Sequence, residues 1–212
     1  MTPQDEAPHN GARAAGPKPR FADRYIAGDV VAARTLTDMK GEAVPLPDPH
    51  RLIHLQFRRY AGCPICNLHL RSFALRADEI AAAGVREVIV FHSYAEELIP
   101  TESDVPFPVI PDPQKKLYTE FRVGTSWRSV TAPAAMATVP RAAWLATKRR
   151  FTIGAPLPVR PATNGRIGLP ADFLITPDGH IAAVKYGEHS GDSWSVDEVL
   201  DQAAAAMASG QL

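Results

Sequence analysis

The sequence predicts an α/β domain with a central mixed β-sheet flanked by helices, and three observations predict it. Residues 51–57 and 85–92 are short, apolar-rich runs of the kind that form buried parallel strands. Between them, Cys66, Leu70, Phe73, Ala77 and Ile80 recur at helical spacing along one face. Near the end of the chain, residues 171–175, a Thr-Pro-Asp-Gly turn at 176–179 and residues 180–186 read as an antiparallel pair.

The remaining elements follow in order. Residues 1–20 are rich in Pro, Gly, Ala and charge without periodicity, and are expected to be a disordered tail ahead of one domain at 21–212. Residues 30–36 read as a short strand, and Asp38-Met39-Lys40-Gly41 as a turn into a second one near Val44. The periodic segment predicts one helix over 63–83, opened by Pro64 and stopped at Gly84. A helical turn at 95–98, an extended proline-rich stretch at 104–113 and a short helix at 114–121 come next. Residues 133–150 fit an amphipathic helix interrupted by Pro140, inside an insertion around 125–165. Ser195 and Glu198 form a capping box that opens a last, Ala-rich helix to about 208.

Composition narrows the function. The 212 residues are 45% apolar and 22% charged with a formal net charge of zero, so no global field recruits nucleic acid or an anionic membrane. No apolar run approaches the roughly 20 residues that span a bilayer, and no secretory signal is visible. The expected location is cytoplasmic.

The two cysteines of the chain lie in Cys63-Pro64-Ile65-Cys66. A disulfide closing so small a loop adds little stability, so the pair points to chemistry rather than stapling. Residues at i and i+3 of a helix are close enough to bridge after modest adjustment. The helix N-terminus favours thiolate over thiol, and Arg58 and Arg59 add to that field where their side chains turn inward. A low-pKa thiolate beside a second thiol attacks a peroxide or disulfide and is then resolved by its neighbour. A structural zinc site needs four ligands and haem attachment needs a histidine where Asn67 stands, so no metal or cofactor is assigned. Tyr60 and His69 are further candidates for tuning the thiols, although such residues are more often solvated or packed. Trp127 and Trp144 read as core or flap anchors before groove residues, and Arg141 with Lys148, Arg149 and Arg150 as a solvated helix face.

Several blocks in order carry a resemblance. Ala27-Gly28-Asp29-Val30 through Lys40-Gly41-Glu42 is similar to an N-terminal β-hairpin, and Phe57-Arg-Arg-Tyr-Ala-Gly-Cys-Pro-Ile-Cys66 to a strand–loop–active-site helix. Phe107-Pro-Val-Ile-Pro-Asp-Pro113 and Gly168-Leu-Pro-Ala-Asp-Phe-Leu-Ile175 with its Pro-Asp-Gly turn follow. Together they resemble the peroxiredoxin-like, alkyl hydroperoxide reductase/thiol-specific antioxidant branch of the thioredoxin-like superfamily. The resemblance implies a thioredoxin-like fold, a redox-active Cys63–Cys66 pair and Pro170 as a cis-proline beside it. It also implies a thiol-dependent enzyme acting on a peroxide or disulfide, a thioredoxin- or glutathione-type reductant, and room for a homodimer. The alternative is a non-catalytic protein of the same fold that senses redox state or holds metal.

Two elements depart from the peroxiredoxin pattern. Aligned on Pro-x-x-x-Thr/Ser-x-x-Cys, Cys66 takes the attacking position, Cys63 replaces the hydroxyl residue and Arg59 the proline. The arginine expected before the late strand is not evident. Attack by Cys63 or by Cys66 both stay open, and the helix geometry favours Cys63 as the exposed member.

Overall fold

The computed structural model describes residues 24–126 and 167–210, with Gly165 and scattered positions between 133 and 151. The tail at 1–20, most of the insertion, Trp127, Arg149 and Arg150 lie outside the described residues. Where positions between 133 and 151 are described, they are helical, as the amphipathic pattern predicts. Trp144 there is 63% exposed, with Lys148 Nζ 5.3 Å from its ring centre, so it is not a core anchor.

A five-stranded sheet in the order β5-β4-β3-β6-β7 forms the centre. β3 (Leu52–Arg58), β4 (Val85–Phe91) and β5 (Val109–Pro111) run parallel, while β6 (Ala171–Ile175) is antiparallel to β3 and β7 (Ile181–Tyr186) to β6. Ahead of them β1 (Arg34–Thr37) and β2 (Ala43–Leu46) make a separate hairpin. Asp38 closes its turn by accepting the backbone N–H groups of Lys40 and Glu42, each at 2.8 Å. The first strand starts later than expected; Val30 makes only an isolated bridge to His180.

Parallel strands need a crossover, and α1 (Pro64–Leu75) with α2 (Ala77–Ala82) supplies it between β3 and β4. The single helix expected over 63–83 is therefore two. Arg76 leaves the helical region at φ −118°, ψ 22°, and its side chain pairs with Glu79 and Asp197. The kink still buries the predicted face, with Cys66, Leu70, Phe73 and Ile80 enclosed and Ala77 partly so. Gly84 ends the crossover with φ +70°, a conformation that favours glycine.

α3 (Ala95–Glu102) is longer than the expected turn; Glu97 caps its start by accepting the Tyr94 N–H at 3.2 Å, and it accommodates Pro100. The Asp-Pro of the 107–113 segment has a structural purpose. Asp112 accepts the N–H groups of Lys116, Leu117 and Tyr118 and so caps α4 (Lys116–Glu120). Tyr118 Oη then donates to the carbonyls of Arg58 and Val90, holding the ends of β3 and β4 together. Ser195 and Glu198 cap α5 (Val196–Ala208) reciprocally, as their spacing predicts.

Strand alternation divides the core. Ile53, Leu55 and Phe57 of β3 face the hairpin and α4, where Phe57 lies 5.0–5.7 Å from the rings of Tyr118, Phe121 and Phe173. The other face meets α1, α2 and α5 through Leu52, Phe73, Ile80, Val85, Leu174 and Trp194. No helix among the described residues is long and apolar enough to cross a membrane.

Candidate active site

The site forms where β3 ends and α1 begins. Tyr60 O accepts the Cys63 N–H at 3.1 Å, and Gly62 turns with φ +71°, so the chain enters α1 at Cys63. Cys63 is the N-cap: its Sγ accepts the Cys66 N–H at 3.4 Å. Cys66 lies one turn further on. Both cysteines are free thiols, and the two side chains hydrogen-bond each other.

The loop places Arg59 against the pair. Its backbone is held by the His92 N–H, which donates to Arg59 O at 3.1 Å, and its Nη2 donates to Cys63 Sγ at 2.9 Å. Tyr60 flanks the guanidinium, with Arg59 Cζ 5.5 Å from its ring centre. Ser93 Oγ fixes the same loop by accepting the Ala61 N–H at 2.9 Å. Gly168 approaches from the other side, where an added Cβ would lie 3.3 Å from His92 Nε2 and 3.5 Å from Arg59 Cγ.

Electrostatics follow from this geometry. Burial opposes charge on either thiol. At Cys66 the hydrogen bond from Cys63 and the charges of Arg59 and Arg58 overcome it, and the thiol falls to about 5. At Cys63 burial, reinforced by Cys66, pushes the thiol well up despite Arg59. The two sulfurs are best treated as one unit that loses its first proton easily and its second with difficulty. Burial, with the charge of Lys115 and then Arg59 adding to it, lowers His92 to about 4, so it is neutral at pH 7.

Two expectations are corrected here. Cys63 does not project from the helix tip: it is 0% exposed and Cys66 3%, because Tyr60, Ala61 and Ile65 pack around the first turn. Pro170 is buried, but the cis bond among the described residues is Leu46–Pro47, so the Leu169–Pro170 bond is trans. Pro170 O instead accepts the Gly187 N–H and closes the start of the β6–β7 pair.

Arg58 turns inward, but not to the sulfurs. It donates to Asp172 Oδ1 at 2.9 Å, Ser193 Oγ at 2.6 Å and Gln56 Oε1 at 3.0 Å. Its Nη2 also lies 2.9 Å from His69 Nε2; because arginine only donates, that nitrogen accepts and His69 is neutral. His69 therefore serves this buried network rather than the thiols. His54 completes it, with Nδ1 2.9 Å from Glu87 and Nε2 3.4 Å from Asp172. Burial works against charge on His54, yet the two carboxylates raise it to about 9. Asp172, buried but facing Arg58 and His54, falls to about 2.

Sequence reasoning missed this stripe. Its signal was present as polar residues at period two, His54, Gln56 and Arg58, within a strand otherwise apolar enough to be central.

Comparison with known proteins settles the family. The model for the AhpC/TSA antioxidant enzymes matches residues 72–189, more than half of the chain. The chain belongs to that family. The matched segment begins after the cysteine pair, so this AhpC/TSA protein carries its Cys-x-x-Cys upstream of the part that identifies it. No curated protein sequence matches. Among solved structures, peroxidoxin BcpB from Mycobacterium tuberculosis is 18% identical with a TM-score of 0.60, covering 85% of this chain and 97% of that one. Peroxiredoxin Q from Xanthomonas campestris is 15% identical with a TM-score of 0.57 and coverages of 85% and 97%. A structure from Chlorobium tepidum described as the thiol:disulfide interchange protein DsbE is 18% identical with a TM-score of 0.51 and coverages of 85% and 96%. These likenesses establish a thioredoxin-like fold, and family membership makes the protein an antioxidant thiol-redox enzyme.

Proposed function

We propose that this AhpC/TSA enzyme reduces small hydroperoxides through a Cys63–Cys66 dithiol/disulfide cycle. The observation that carries it is the Arg59 guanidinium 2.9 Å from a sulfur of a thiol pair at a helix N-terminus. Arg59 comes from the loop position where the peroxiredoxin pattern has proline, and it supplies a cation that the late strand lacks. Enclosure of both sulfurs favours a small peroxide over a protein disulfide, whose sulfur must line up with an exposed thiolate.

Cys66 is the attacking sulfur in this cycle, because its thiol is the lowered one and it keeps slight exposure. Its thiolate takes the terminal oxygen of ROOH; the O–O bond breaks, the alkoxide takes a proton from solvent and leaves as ROH, and Cys66 becomes a sulfenic acid. Cys63 attacks that sulfur and water departs, leaving the disulfide. Two equivalents of an external thiol, of the thioredoxin or glutathione type, restore the dithiol. Arg59 and Tyr60 shape the site, and Arg58 acts on it only through its charge.

Hydroperoxide consumption with dithiothreitol as reductant is the test, together with the mass of the protein after mild oxidation. Peroxide turnover and a mass loss of two hydrogens are expected. Insulin reduction without peroxide turnover would instead assign a disulfide reductase, and failure to form the bridge would end the dithiol cycle.

A further inference from the structure

Whole-chain neutrality conceals a strong local imbalance. Residues 121–171 carry eight of the chain's 23 Lys and Arg and none of its 23 Asp and Glu. Within that stretch, every described position from 140 to 151 is helical and exposed. Thr147 Oγ1 donates to Ala143 O at 2.9 Å, and Lys148 Nζ lies 5.3 Å from the Trp144 ring centre, each pair one helical turn apart. Trp144 and Phe151 are seven residues apart, as are Arg141 and Lys148, so two rings and two cations share one side of the helix. Trp144 is 63% exposed and Phe151 84%. Two large rings on one exposed side differ from the scattered single apolar residues of an ordinary surface. The base of the stretch reaches the active site, where the Leu169 N–H donates to Gly124 O at 3.1 Å and Gly168 lies against His92 and Arg59.

We propose that this face docks the enzyme on an anionic phospholipid surface, with Trp144 and Phe151 entering the headgroup layer and Arg141 and Lys148 meeting its negative charge. Such a helix lies on a bilayer rather than across it, and no described helix is long and apolar enough to span one. Tryptophan settles at headgroup level because its ring is apolar and its N–H polar. Arginine and lysine bury their stems beside such rings while keeping their charges at the anionic layer. The other cations of 121–171 add attraction that no acid within the stretch offsets. Other occupants would use half of the face. A duplex nucleic acid takes the cations and leaves the rings in water, since rings stack on unpaired bases. An acidic surface on a second copy pairs with the cations and likewise leaves the rings wet. A bilayer interface accommodates both.

Co-sedimentation of the full chain with vesicles tests this. Vesicles of about 30% phosphatidylserine in phosphatidylcholine should carry the protein down, and pure phosphatidylcholine should not. Raising salt from about 0.1 to 0.5 M should release most of it. Arg141→Gln/Lys148→Gln should weaken partitioning about thirtyfold, from two lost surface cations. Trp144→Ser/Phe151→Ser should weaken it about tenfold, while thermal midpoint and dithiothreitol-dependent peroxide consumption stay at the parent's level. No sedimentation with the anionic vesicles, equal sedimentation with the neutral ones, or unchanged binding of both variants would overturn the proposal. So would unbound vesicles together with capture of an oligonucleotide, or with a dimer that the double-serine variant turns into monomer.

Discussion

Arg59 Nη2 meets Cys63 Sγ at 2.9 Å, with Arg59 O held by His92 and the chain between them turning through Gly62. A hydrogen bond to a charged group contributes roughly 1.5–3 kcal/mol. Replacing Arg59 by Met should raise the first ionisation of the pair by about one to two pH units. Iodoacetamide alkylation followed against pH measures it, and an unmoved midpoint would remove Arg59 from the proposed mechanism.

The two cysteines should fail differently. Cys66→Ser is expected to lose peroxide consumption entirely. Cys63→Ser should still complete one turnover and accumulate a sulfenic acid on Cys66 that dimedone traps. The reverse pattern would assign attack to Cys63.

Stability should depend on pH through His54 and Asp172. His54 is raised from 6.5 to about 9 on folding, so its contribution is complete below pH 6.5 and is lost as pH rises through about 9. That loss is about 3 kcal/mol at one pKa unit per 1.4 kcal/mol. Asp172 is lowered from 3.8 to about 2, so its contribution is present above pH 3.8 and is lost as pH falls through about 2. Denaturant unfolding across this range checks both. Asp172→Ala should cost about 3–5 kcal/mol at pH 6 by stranding Arg58 and His54 in the core, and a variant as stable as the parent would show the stripe to be dispensable.

Gly187 has no room for a side chain. A Cβ there would lie 2.3 Å from Asp192 O and 2.7 Å from Pro170 Cγ. Gly187→Ala should destabilise by about 1–3 kcal/mol through a forced backbone shift. Thermal unfolding reports this, and an unchanged midpoint would mean the 187–192 loop yields freely.

Much of the architecture was legible because it follows from local chemistry. Pro64 and Gly84 bracket the crossover, the apolar runs at 52–58 and 85–91 set the parallel strands, and Ser195 with Glu198 starts the last helix. The kink at Arg76 was not, since no helical period encodes it; Arg76 there leaves the helical region and meets Asp197, 121 residues away. Pro170 was given a cis bond by family likeness, and the backbone around it takes the trans form.

From residue types and spacing alone came the α/β class, the Cys63–Cys66 pair and its place at the start of a helix. Folding decided which neighbours those sulfurs have. Adjacent Arg58 and Arg59 look equivalent in the chain, yet one is drawn to Asp172, 114 residues away, and the other to Cys63. The thiols' enclosure is likewise tertiary. The reason is physical: a thiol's ionisation depends on charges and solvent within a few ångströms, and only packing sets those distances.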